Sequence, residues 1–200
     1  MSDIFTVIDI ETTGLDHEMD HITEIAAIRT DATGTREIGR FHTFVSLPIG
    51  VAIPLEITEL TGIKTEDLDG APTEWDALLA LEAFAYGSTV VAHNAPFDLA
   101  FISRVFTTDR FVCTRALSKL TEPRESASLK DVCARHGIKM NGHHRAMNDV
   151  EATVKVFGKL RELAEINGIN YQNVVIDSEE RPLKYTPSGA IVRTMKKEAV

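Results

Sequence analysis

The order of apolar and polar positions predicts a mixed layer of strands and helices. FTVIDI at 5–10 reads as a strand, broken by Thr-Thr-Gly at 12–14. Ile22–Thr30, rich in Ile and Ala, and Gly39–Val45, rich in aromatic and β-branched residues, flank an Asp-Ala-Thr-Gly turn at 31–34 and read as an antiparallel hairpin. Pro48 and Pro54 mark a loop, and Leu55–Thr61 predicts a short helix ending at Gly62. A longer helix is expected from Thr73 to Tyr86, with Trp75, Leu78, Leu79, Ala83 and Tyr86 on one face. TVVA at 89–92 predicts a buried strand. Asn94 is placed to cap the helix that follows, and Pro96 is tolerated in its first turn. Phe111–Cys113 is a weak strand candidate, Ser128 caps a helix to His136, and a long helix runs from about Arg145 to Ile166 with Val150, Val154 and Phe157 in register. This order predicts an α/β fold with a mixed sheet. After residue 167 the periodicity fails. A Pro-Ser-Gly turn at 187–189 leaves a small hairpin or a loose tail as alternatives for 168–200.

Two hundred residues at 44% hydrophobic content suit one domain and exclude a disordered acidic chain. No run approaches the ~18 apolar residues of a membrane span. The start, MSDIFTV, lacks the basic and apolar regions of a signal peptide. Cys113 and Cys133 make neither a disulfide nor a metal framework, so a cytoplasmic protein without a membrane partner is expected. The net charge of −9 argues at first against a nucleic-acid partner, because phosphates reward Lys and Arg. The acidity is uneven, however. Residues 1–100 carry 4 basic and 18 acidic side chains, whereas 101–145 carry 9 and 4, and 181–200 carry 5 and 1.

Three groups of acids stand at the ends of predicted elements. Asp9 and Glu11, at i and i+2 on the first strand, project from one face. Asp98 falls in HNAPFD (93–98), just after the strand at 89–92 and in the first turns of a helix. HHRAMND (143–149) contains His144 and Asp149, about 500° apart on an ideal helix. They converge only if His144 lies in the loop before the helix, which Asn141 and Gly142 permit. Taken singly, the acids read as a strand end, a carboxylate complementing a helix dipole, and a late-helix acid beside surface histidines. Taken together, four acids and a histidine match what divalent ions require: few carboxylates, with open positions for water and phosphate. Two such ions about 3.5–4 Å apart can activate water and stabilise a leaving oxygen. An imidazole of ordinary pKa near 6.5 can take the water's proton.

VIDIETTGLD (7–16), AHNAPFD (92–98) and HHRAMND (143–149) resemble the three motifs of the DEDDh, or DnaQ-like, 3′→5′ exonucleases. That family is similar to the proofreading epsilon subunit and exonuclease domains of bacterial DNA polymerase III. ELTGI (59–63) and SLKDVCARHGI (128–138) resemble its connecting segments. The resemblance implies a ribonuclease-H-like fold, a mixed five-stranded sheet flanked by helices, with residues 1–167 as the exonuclease domain and 168–200 as a C-terminal extension. It implies two divalent ions, Mg²⁺ or Mn²⁺. Asp9, Glu11 and Asp149 would hold one, Asp9 would bridge to the second, and Asp98 would help through water. His144 aligns with the general base, and His143 is a neighbour without an assigned role. Thr12, Thr13, Gly14, Leu15, Leu60, Thr61 and Gly62 resemble the parts that grip the terminal nucleotide, with Asn94 and Phe97 lining the same pocket.

The implied reaction removes nucleoside 5′-monophosphates from DNA 3′ ends, single-stranded or frayed, in proofreading or repair. The chain has no room for a polymerase domain, so it is expected to act alone or beside a DNA polymerase subunit. An RNA-trimming enzyme of the same family and a non-catalytic nucleic-acid-binding module stay open as alternatives. Residues 181–200 read equally as a solvated terminus, a partner peptide or an extra nucleic-acid contact.

Overall fold

A computed structural model describes residues 4–140, 142, 144–179 and 181–195; residues 1–3, Asn141, His143, Glu180 and 196–200 lie outside them. In chain order the elements are β1 (Phe5–Thr12), β2 (Ile22–Thr30), β3 (Glu37–Phe44), α1 (Leu55–Thr61), a 3-10 turn (Thr65–Leu68), α2 (Glu74–Ala85), β4 (Thr89–Ala92), α3 (Ala95–Ile102), β5 (Phe111–Cys113), α4 (Thr114–Thr121), α5 (Leu129–Arg135), α6 (Ala146–Ile166), β6 (Val174–Ser178) and β7 (Ile191–Met195). The main sheet has five strands in the order β3-β2-β1-β4-β5. β1, β2 and β3 pair antiparallel, and β1, β4 and β5 pair parallel, as the expected mixed sheet requires.

Strand alternation divides the core in two. Ile8, Ile10, Ile25 and Ala27 face one side and pack with residues of α2 and α3. Phe5, Val7, Ala26 and Ile28 face the other, against Val150, Phe157 and Leu160 of α6. Each such side chain, fully buried, contributes about 1.5–3 kcal/mol. On this second face the β1 stripe reads Phe5, Val7, Asp9, Glu11, so two apolar residues give way to two acids at the carboxyl end of the strand. The neighbouring strand changes in step, because Glu11 pairs with Glu24 and Asp9 with Ala26.

Helix α2 forms where expected but buries a different face. Ala77, Leu78, Leu81 and Ala85 lie inside, while Trp75, Leu79 and Tyr86 are exposed. The largest apolar side chains suggested a different stripe, with Leu78 common to both. Asn94 takes the N-cap position of α3, but its side chain makes no capping hydrogen bond. Two elements were not anticipated, α4 and β6.

The segment after Gly168 is neither a hairpin nor, over its described residues, a loose tail. β6 and β7 pair parallel, so the Pro-Ser-Gly turn precedes β7 instead of joining two antiparallel strands. Val174, Val175 and Ile176 are buried, and the latter two join the core beside α2 and α3. Asn173 makes the junction. Its N–H donates to the Phe111 carbonyl at 2.8 Å, and its side-chain oxygen accepts from the Phe111 N–H at 2.8 Å. Its amide nitrogen donates to the Asp109 carbonyl at 2.8 Å, and its φ of 56° is one that Asn tolerates better than most residues. The residue thus closes the open edge of β5. Asn173→Ala should lower stability by about 2 kcal/mol, because it strips the edge N–H of Phe111 and the Asp109 carbonyl of their partners. Urea unfolding of the variant, with an unchanged m-value, is the check.

Candidate active site

β1 lies between antiparallel β2 and parallel β4 and runs on to Thr12, past the end of β4 at Ala92, so its carboxyl end stands where the sheet switches from antiparallel to parallel pairing, the usual place for a ligand crevice. Asp9 and Glu11 come from β1. Asp98 is buried in the first turn of α3, and Asp149 is buried in the first turn of α6. His144 precedes α6 in the left-handed region, φ 63°, and its backbone N–H donates to Asp149 Oδ2 at 3.2 Å. This loop placement removes the angular conflict that a helical His144 would have had. Glu11, His144 and Asp149 each bring a possible ligand atom within 4.8 Å of the other two. Asp9 and Asp98 fall outside that trio and couple to it electrostatically.

The acids repel one another. Burial pushes the Asp9 carboxyl well above its usual range, and Asp98, Glu11, Asp149 and Glu24 push it further. Burial also raises Glu11 to about 8, reinforced by Asp149, Glu24 and Asp98 and opposed by Arg145. Asp98 is likewise raised to about 8 by burial, against the pull of its own backbone N–H and that of Ile10. Carboxylates and an imidazole held this close, their repulsion only partly relieved by Arg145, suit a hard divalent cation. The two cysteines are buried elsewhere and add no thiolate to the set.

Residues that the sequence did not single out hold this arrangement together. Glu24 on β2, 1% exposed, accepts from Arg145 Nη2 at 3.1 Å and from the Ala146 N–H at 3.1 Å, and it pairs with His42 Nε2 at 2.7 Å. It therefore fixes the start of α6, and with it Asp149, against the strand that neighbours β1. Arg104 performs a similar task for the loop after β1. Its guanidinium donates to the carbonyls of His17 and Asp20 and to Glu74 Oε1, and it stacks 4.8 Å from the centre of the Phe101 ring. A signal was available for Glu24, an acid inside an otherwise apolar strand; Arg104 offered none. His93, by contrast, is structural: Nδ1 lies 2.9 Å from Thr114 Oγ1 and Nε2 lies 3.0 Å from the Ala127 carbonyl.

The residues expected to grip a nucleotide fall at the end of β1 and in the loop after it, at the end of α1 and at the start of α3. Thr12 and Thr13 are buried, with their hydroxyls bonded to Gly14 O at 2.5 Å and Asp20 Oδ1 at 3.2 Å. A Cβ at Gly14 would collide with the Asp20 carboxylate, so a larger residue there would have to displace that side chain from its bond to Thr13. Leu15 and Leu60 are exposed apolar side chains, 69% and 49%. Thr61 bonds back to the Ile57 carbonyl, and Gly62 ends α1 in the left-handed region. Asn94 and Phe97 line a cleft that Leu15 also enters.

Residues 6–157 match the RNase_T family model, described as Exonuclease. The chain belongs to this exonuclease family. It is 34% identical over 166 residues to the DNA polymerase III subunit epsilon of Aquifex aeolicus, covering 79% of this chain and 80% of that protein. It is 32% identical over 198 residues to a PolC-type DNA polymerase III of Clostridium perfringens, covering 92% of this chain but only 13% of the polymerase. The fold of this exonuclease-family chain is similar to Escherichia coli exonuclease I in complex with a dT13 oligonucleotide, with a TM-score of 0.72 at 18% identity over 83% of this chain and 42% of that one. It is also similar to exonuclease X in complex with 5′ overhanging duplex DNA, with a TM-score of 0.66 at 21% identity over 84% and 95%. Among the described residues no helix is long and apolar enough to cross a membrane.

The electrostatics of the acids set a pH dependence. Without metal, Glu11 and Asp98 in the folded chain hold protons that the unfolded chain has released, so stability falls as pH rises from near their ordinary values toward about 8. The metal-free melting temperature should therefore drop between pH 5 and 8, and Mg²⁺ or Mn²⁺ should restore it more at pH 8, as scanning calorimetry would show. Glu24→Ala should cost on the order of 3 kcal/mol, because Arg145 and the Ala146 N–H lose a buried partner. Chemical denaturation measures that loss, with Glu24→Gln expected to recover part of it.

Proposed function

We propose that the chain is a 3′→5′ exodeoxyribonuclease using two divalent ions, Mg²⁺ or Mn²⁺, and acting on single-stranded or frayed 3′ ends. The observation that carries this reading is the convergence of Glu11, His144 and Asp149 beside Asp9 and Asp98. Asp9, Glu11 and Asp149 would bind the ions directly, with Asp98 contributing through water. When bound, the ions supply Lewis-acid activation of water and neutralise charge on the leaving 3′ oxygen.

The chain's own residues do the rest. An imidazole nitrogen of His144 takes the proton of the attacking water; the backbone bond from His144 to Asp149 Oδ2 ties that ring's loop to the acids. Leu15 and Leu60 supply exposed apolar surface against which the terminal base and sugar can rest. The threonine hydroxyls of the loop, the Thr13 N–H and the Gly14 carbonyl are bonded within the protein, so Thr12, Thr13 and Gly14 act by fixing the shape of the loop that presents Leu15. Attack breaks the bond between phosphorus and the 3′ oxygen of the preceding nucleotide and releases a 5′-monophosphate.

DNA is favoured over RNA because the relatives include DNA polymerase III components and the structural neighbours carry DNA. A role in proofreading beside a polymerase subunit, or in repair, rests on the same resemblance. With matched 5′-labelled DNA and RNA oligomers, the wild type should shorten DNA faster, from the 3′ end, and only with a divalent ion. Asp9→Ala and Asp149→Ala should abolish the ladder, and His144→Ala should slow it by about 10²–10⁴-fold with folding intact. Faster trimming of RNA would point to the exoribonuclease alternative, and metal-dependent binding without turnover would point to a binding module.

A further inference from the structure

Beside the acid cluster lies a cleft of about 140 Å³, several times the room one water needs. Leu15, Asn94 and Phe97 line it, and Phe97 directly precedes Asp98. It is also lined by the segment after β6, namely Arg181, Pro182, Leu183, Lys184 and Tyr185, and by Arg115 of α4. The fold holds that segment in place. The Leu183 N–H donates to Asp177 Oδ1 at 3.0 Å, and Tyr185 packs edge-on against His17 with ring centres 5.5 Å apart. Phe97 is braced by Phe101 at 5.1 Å.

The charge of the cleft runs against that of the chain. Arg115, Arg181 and Lys184 all enter it, and among the described residues no carboxylate lies within ion-pair distance of any of the three. Burial and the facing Arg181 guanidinium both lower the pKa of Arg115, so two like charges converge on one place. Cations that converge with no described carboxylate in ion-pair reach, beside aromatic rings, match a single nucleic-acid strand: phosphates for the cations and a flat base for the rings.

We propose that this cleft is the track for the nucleotides immediately 5′ of the scissile bond, with Arg115, Arg181 and Lys184 pairing with their phosphates and Tyr185 supporting a base. The proposal rests on the exonuclease reading above. It gives residues 181–185 a role in strand binding, and it extends the site beyond the terminal nucleotide.

The test compares two substrates: a 5′-labelled oligo-dT and the p-nitrophenyl ester of thymidine 5′-monophosphate, which has no strand beyond the scissile bond. Arg181→Glu/Lys184→Glu, at two exposed positions, should raise KM for the oligomer roughly tenfold or more while leaving its kcat near wild type. The ester should be hydrolysed as by the wild type. The logarithmic salt dependence of oligomer binding should become shallower by roughly 0.7 for each phosphate that is no longer neutralised. An unchanged oligomer KM and salt slope would overturn the proposal, as would an equal loss on the ester. If the wild type hydrolyses neither substrate, the exonuclease reading itself falls, and this one with it.

Discussion

Glu24 is almost fully enclosed, and burial alone would raise its pKa. The hydrogen bonds from Arg145, His42 and the Ala146 N–H more than reverse that, and its pKa is lowered instead. The result is a buried negative charge that stays ionised because it grips the beginning of α6. The chemistry at this end of the sheet depends on that grip. Asp149 lies in the first turn of α6 and His144 just before it, and the contact between strand β2 and the helix start fixes these motif residues at the end of α6 nearest the acids of β1. A neutral residue at position 24 could fill the space, but it could not orient both Arg145 and a helix N-terminus.

The same face of the sheet explains why the site is electrostatically tense. A stripe that begins with Phe5 and Val7 secures α6 through apolar packing, and that packing holds Asp9 and Glu11 beside Asp149 although the three repel. Apolar burial of several side chains at about 1.5–3 kcal/mol each outweighs the repulsion of a few acids, and a bound cation turns the repulsion into affinity. Stability is thus concentrated at one end of β1 and chemistry at the other, along a single strand of eight residues.

Much of this was legible in the chain because local pattern and tertiary role agree. The alternation of FTVIDI, the cap Ser128 and the apolar register of α6 all survive into the structure, because each is decided by spacing within one element. The placement of His144 before its helix was deducible from an angle alone. What stayed hidden depends on partners far away in sequence. Glu24 and Ala146 are 122 residues apart, and Asn173 closes an edge strand 62 residues before it. The buried face of α2 follows Ala77, Leu78, Leu81 and Ala85 instead of the largest apolar side chains, because the core it packs into decides which face is covered. β6 escaped notice because its partner β7 is parallel and lies beyond a long crossover, a pairing with no hairpin signal.

Net charge was the weakest guide, for a reason that can be traced. A total of −9 describes how the protein looks from a distance, beyond the roughly 10 Å over which ordinary salt screens charges. Under the proposed function, a strand end would meet something else. On one side it would find clustered acids, which attract a polyanion only once cations bind between them. On the other it would find Arg115, Arg181 and Lys184, which need no cation. The two halves of that surface would then respond to different variables: affinity at the acids would follow divalent metal, whereas affinity along the cationic cleft would follow ionic strength. An acidic protein can in this way engage a nucleic-acid end locally while its overall charge disfavours coating long duplex DNA.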